Sequence, residues 1–125
     1  MSFDWSEYID LGYDLLDSTR MDLEEAYYRA SISRAYYGVF CLSRDKAGLK
    51  TYKPTSKADL GVHQKVIKQY KASADQKEKS IGLALDRLRR MRNKADYDGD
   101  QSVKIGEAER AVITAREVLQ DLWVP

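Results

Sequence analysis

Residues 88–98 read LRRMRNKADYD, a run of basic side chains that turns acidic within one helical turn. Guanidinium groups offer planar forks of N–H donors that match phosphate oxygens, and they never lose their charge. An aromatic side chain beside such a fork, here Tyr97, adds a stacking face and a hydroxyl. At 100° per residue the apolar stripe of this helix is Ile81, Ala84, Leu85, Leu88, Met91 and Ala95, with Arg87 and Arg90 facing away. Arg92 falls about 50° from the centre of that stripe, at its edge. A partly covered arginine needs an anion or hydrogen-bond acceptors. Two readings follow. Asp96, one turn on, pairs with Arg92 and closes the helix end, where cations also suit the helix dipole, and the chain is then a plain helical scaffold domain. Alternatively Arg92 and Asn93 present donors to a phosphate with Asp96 and Tyr97 beside them, which makes these four the candidate catalytic set. Arg34, Arg89 and Lys94 are the candidate substrate-binding cations.

Other residue types offer less chemistry. His63 is the only histidine and Cys41 the only cysteine, too few for a usual zinc site, so no metal and no cofactor are expected. His63 sits near the start of a short helix and reads as a helix-end or packing residue. The seven glycines are scattered and form no phosphate-binding loop. Ser33 and Arg34 lie in mid-helix, where Arg34 is expected to meet a core carboxylate or carbonyl or to face the Arg92 groove. The tyrosine pairs 27–28 and 36–37 suit helix packing, each ring burying a large area with a polar tip.

Positioning these groups falls to helices. Only Pro54 and Pro125 interrupt the chain, alternating strand patterns are absent, and apolar residues recur at helical spacing. The first helix is expected from about Asp4 to Asp17. The second is expected to be capped by Asp22, with Glu25 completing a capping box, and to run to about Ala47 before a C-cap at Gly48. Its two apolar stripes make it either the central helix of its own bundle or, through Ala26, Ala30, Tyr37, Phe40 and Cys41, a contact with a second copy. A polar loop broken by Pro54 leads to a short helix over Val62 to Lys71. The fourth helix spans about Glu78 to Ala95, Tyr97 to Gln101 turn, and Ser102 caps a fifth helix ending near Leu122. The expectation is an all-α, up-down bundle of four main helices plus one short one, a single domain over residues 1–125.

Composition limits the function classes. Apolar residues at 43% and charged residues at 33% suit a folded globular chain rather than a disordered one. Twenty-one Lys and Arg against twenty Asp and Glu leave +1, which argues against nucleic-acid binding by bulk charge while allowing a local basic patch. No apolar run approaches the ~20 residues of a membrane span, and no signal-peptide layout opens the chain. The lone cysteine fits a reducing compartment, so a cytoplasmic location is expected.

The blocks YYRASISRAYYGVFCLSRD (27–45), GVHQKVIKQY (61–70) and LRRMRNKADYD (88–98), followed by an amphipathic helix, resemble the HEPN family over about residues 5–122. That resemblance implies a small α-helical domain of toxin–antitoxin, phage-defence or RNA-processing systems. It also implies metal-independent endoribonuclease chemistry from an Arg–His motif assembled across a homodimer, or a nucleotide- or partner-binding module. A minimal nucleotidyltransferase antitoxin is the implied partner, with RNA as the implied target. Arg92 and Asn93 match the motif's arginine and polar neighbour. Tyr97 stands where the histidine would, and no histidine follows Arg92. A tyrosine, with a reference pKa of ~10, is a poor base for a 2′-hydroxyl, so any cleavage is expected to be slow.

Overall fold

The computed structural model describes residues 2–123, so the terminal Pro125 lies outside the described residues. The described chain forms α1 (Ser6–Asp17), a 3-10 turn (Met21–Leu23), α2 (Glu24–Lys46), α3 (Val62–Lys71), α4 (Gln76–Tyr97) and α5 (Ile105–Trp123). There is no strand among the described residues, and the architecture is the expected all-α, up-down bundle of four main helices and one short one. No helix of the described residues is long and apolar enough to cross a membrane.

Helix α2 is the axis of the bundle. It packs against α1, α4 and α5, while α3 rests chiefly on α4. From Ser31 to Ser43 almost every position of α2 is buried, including Ile32, Ala35, Tyr36, Val39, Phe40 and Cys41. Most of both apolar stripes is therefore covered inside one chain, as a central helix requires. Only the second stripe's N-terminal members Ala26 and Ala30 stay exposed. The α1–α2 contact is close because Gly38 carries no Cβ; one placed there would lie 2.8 Å from Ile9 Cγ1 and 3.0 Å from Trp5 O.

The ends differ from the expected ones in informative ways. Asp22 does not cap α2: it sits in the 3-10 turn and pairs with Arg20 at 2.8 Å, while Glu25 bonds Arg29 at 3.0 Å instead of reaching back. The C-terminus of α2 does follow expectation. Gly48 adopts φ +75, its N–H bonds Asp45 O at 3.1 Å, and the Leu49 N–H bonds Arg44 O at 3.0 Å. This is the Schellman pattern that a glycine permits.

Helix α4 starts at Gln76, where the Asp75 carboxylate accepts from the Glu78 N–H at 3.0 Å. It continues to Tyr97 rather than stopping at Ala95. Ser102 is not the cap of α5. The Glu107 carboxylate accepts the Lys104 N–H at 2.9 Å, one residue before the helix begins at Ile105.

Candidate functional site

Where α2, α3 and α4 meet, the bundle gathers cations and aromatic rings. Arg92 of α4 is only 5% exposed, yet it donates no hydrogen bond to the described residues, and its Nε is buried without a partner. Asp96 is 4.0 Å from Arg92 Nη1, too far for a hydrogen bond, and its Oδ2 accepts instead from Ser33 Oγ at 3.1 Å. What surrounds the guanidinium is aromatic. Its carbon lies 5.4 Å from the Tyr36 ring centroid, 5.3 Å from Tyr37 and 5.6 Å from Tyr97. Such contacts stabilise a cation through the ring quadrupole but satisfy none of its N–H donors.

The helix-closing role is performed elsewhere. Arg29, reaching over from α2, donates through Nη1 to the carbonyls of Lys94, Ala95 and Asp98 at 3.1, 3.0 and 3.1 Å, and through Nη2 to Gln101 O. These are the orphan carbonyls of the α4 terminus and the turn beyond it. The Arg92–Asp96 pair is thus not what ends the helix.

The other expected residues divide. Arg89, one turn before Arg92, also has a buried Nε with no partner. Arg34 meets neither carboxylate nor carbonyl. Its guanidinium lies between the rings of Tyr8 at 4.6 Å and Tyr37 at 5.4 Å, with Ser33 Oγ at 3.4 Å. Arg34 and Arg92 therefore share Tyr37, and an alternating series of rings and guanidiniums runs from Tyr8 to Tyr97. Tyr97, at 75% exposure, ends that series in solvent. Lys94 is drawn off to α5, where its amine donates to Glu107 at 2.8 Å and holds that carboxyl below its ordinary range. Asn93 is exposed and makes no hydrogen bond among the described residues, and nothing joins it to the cluster. Arg87 and Arg90 face solvent as expected.

His63 lies at the start of α3 and packs there, as expected, but its hydrogen-bond partner was not foreseen. Helix α3 delivers it onto α2, where it stacks on Phe40 at 4.1 Å and meets Tyr37 edge-on at 5.9 Å. Its Nδ1 lies 2.6 Å from the Tyr36 hydroxyl. The loop before α3 closes on itself: Tyr52 donates to Leu60 O at 2.6 Å, and Asp59 accepts from Thr55 and Ser56. Burial, followed by the positive charges of Arg89 and Arg92, pushes the imidazole down to about 4, so it is neutral at physiological pH. Burial likewise pushes the Tyr36 phenol up, keeping it protonated. The one sequence signal was a fully buried tyrosine that needs a polar partner, but the partner lies 27 residues away.

No group of three or more histidine, cysteine, aspartate or glutamate side chains suited to a metal ion occurs among the described residues. A groove of about 320 Å³ lies away from the cluster, between α1 and α5, bounded by Tyr13, Leu16, Ile105 and Ile113. It lacks the convergent donors found around Arg92. The latter are the better guide to chemistry.

Fold and cluster together describe an up-down helical bundle whose central helix, with α3 and α4, encloses under-satisfied arginines among tyrosines. Residues 6–122 match the HEPN domain family, and the chain belongs to it. No curated protein and no solved structure matches the chain.

Proposed function

We propose that the chain is the HEPN component of a toxin–antitoxin or defence-type module and binds single-stranded RNA at the cluster of Arg89, Arg92 and Tyr97. The observation that carries this reading is Arg92, a buried permanent cation that donates to no acceptor among the described residues, with Nε enclosed and its terminal nitrogens reaching solvent. Leaving charged donors unmet costs on the order of 1–3 kcal/mol or more, and a phosphate oxygen would offset that cost. Tyr97 offers an exposed ring on which a base can stack, as single-strand binding sites require.

Cleavage by this site is slow or absent. A metal-independent ribonuclease needs a base and an acid near the scissile phosphate. A tyrosine stands at the motif's histidine position, and His63 is a weak base because its proton affinity is so reduced. Arg92 is suited to stabilising a phosphorane-like charge without supplying the proton transfers. A second reading draws on the same exposure of Tyr97: its hydroxyl is open to a nucleotidyltransferase partner as an acceptor of a nucleotide. A homodimer is the proposed assembly. The exposed apolar residues Leu11, Tyr13, Ile105 and Ile113 supply area for such a contact.

The test is anisotropy of labelled single-stranded RNA in chelator, with cleavage followed on gels. Wild type should bind, Arg92→Met should lose about tenfold or more, and Lys94→Ala should bind as wild type does. Binding indifferent to Arg92→Met would remove the reading.

A further inference from the structure

We propose that His63, from α3, is the third donor of a phosphate site formed with Arg89 and Arg92, and that the Tyr36 hydroxyl fixes it as the Nε2–H tautomer. The inference deepens the RNA-binding reading, on which it rests for its biological ligand, but concerns a residue outside the arginine motif.

The tautomer follows from Tyr36. Its side chain is fully buried, and a buried hydroxyl must place its proton on an acceptor. His63 Nδ1, at 2.6 Å, is the one partner of that hydroxyl among the described residues. Tyr36 therefore donates, Nδ1 accepts, and the neutral ring carries its proton on Nε2. Stacking on Phe40 and the edge contact with Tyr37 lock the ring plane, so Nε2–H points in one direction. Nε2 makes no hydrogen bond to the described residues and is not among their buried unpartnered atoms, so it reaches solvent.

The chemistry of the surroundings selects an anion. The charged groups acting on the ring are Arg89 and Arg92 of α4, and the titratable groups facing it are Tyr36 and Tyr37 of α2. No carboxylate is among them. Arg92 is more than nine-tenths buried, and both arginines keep an Nε with no acceptor. Arg92 and His63 share the Tyr36 and Tyr37 rings. The nearest carboxylates are Asp96, 4.0 Å from Arg92 and taken up by Ser33, and Asp86, which Arg89 acts on but which is held first by Lys71. Neither accepts a hydrogen bond from the arginines. A tetrahedral oxyanion has the several lone pairs that such a set requires. In this arrangement His63 is a binding and positioning donor, not the base of a nuclease, which agrees with slow or absent cleavage.

Because His63 is the only histidine, its ring resonances report without overlap. The experiment is nitrogen and proton NMR of the full chain, first alone, then with inorganic phosphate, then with short single-stranded RNA. The free protein should show a protonated Nε2 and an unprotonated Nδ1 at neutral pH. Phosphate should raise the ring's titration midpoint from about 4 by roughly one unit or more, because it offsets the two guanidinium charges. His63→Leu should weaken phosphate and RNA roughly tenfold, while His63→Gln, which keeps an N–H near Nε2, should weaken them less. An Nδ1–H tautomer overturns the proposal. Resonances unmoved by phosphate and by RNA, with RNA still bound through Arg92, overturn it and leave the RNA reading standing. Resonances that move with phosphate while no RNA binds support the anion site and remove the RNA reading.

Discussion

Lowering the pH from about 7 to about 4.5 should destabilise the folded protein through His63, over a range that lies mostly above the titration of its carboxylates. The reference histidine pKa is 6.5 and the folded value is about 4. Between these values the unfolded chain binds a proton that the folded chain refuses. The His63 contribution is therefore complete above 6.5 and is lost progressively as pH falls toward 4. At about 1.4 kcal/mol per unit the full interval is worth roughly 3 kcal/mol, and water at the ring's open edge reduces this to on the order of 1–2. Asp86 and Glu107 carry depressed carboxyls, held down first by the hydrogen bonds from Lys71 and Lys94. Their contributions are present above the unfolded carboxyl range and lost only as pH falls through the still lower folded values. They cancel when wild type is compared with His63→Gln. The assay is urea unfolding of both proteins at about half-unit steps from pH 7 to 4.5, in buffers free of phosphate and sulfate. Wild type should lose stability faster, with the difference between the two closing by about 1–2 kcal/mol. Parallel curves would refute the reasoning, because they would mean that the imidazole protonates in the folded state as easily as in the unfolded one.

Arg29→Met keeps the aliphatic stem and removes the donors that close α4, leaving the Lys94, Ala95 and Asp98 carbonyls without them. It should cost about 2–3 kcal/mol, read as a lower denaturant midpoint, and an unchanged midpoint would show that water replaces the arginine at little cost. Gly38→Ala places a methyl 2.8 Å from Ile9 and 3.0 Å from the Trp5 carbonyl. It should lower stability by about 1–3 kcal/mol in thermal unfolding, and a neutral result would mean that α1 slides freely on α2.

Helical content, the central place of α2 and the Gly48 terminus were legible because each is encoded by residues within a few turns of one another. The stripe Ile81, Leu85, Leu88 and Ala95 buries as its spacing requires. Asp22 misled because its carboxylate found Arg20 first, within the 3-10 turn. The end of α4 was misplaced by two residues because the group that extends it, Arg29, lies 65 to 69 residues earlier in sequence. The site suffered from the same blindness. Helical spacing brought Arg92 to the edge of a buried stripe. It carried no information that Tyr36 and Tyr37 would enclose the guanidinium, that Glu107 would engage Lys94, or that α3 would lay His63 on Phe40. These are contacts between elements, and periodicity describes only one element at a time.

Arg29 and Arg92 lie at the same junction and show what a structural arginine and an available one look like. Arg29 has its donors placed on carbonyls and Glu25 at 3.0 Å. Arg92 is less exposed than Arg29 and yet has only aromatic faces and a carboxylate at 4.0 Å. Cation–π contacts return roughly 0.5–2 kcal/mol each, against several kcal/mol for desolvating the ion. The free protein therefore carries Arg92 at a net loss or near balance. This gives the Arg92→Met variant a second and sharper expectation. Methionine fills the apolar stem's space without a buried charge, so the free protein should be unchanged or more stable by up to about 2 kcal/mol, even as RNA affinity falls. If Arg92 were instead the keystone of the helix end, the same substitution would cost about 3–5 kcal/mol. Measuring the denaturant midpoint and RNA affinity on one preparation separates the two cases. A large loss of stability with binding retained would mean that the tyrosines hold the cation for the fold, and that the phosphate belongs elsewhere.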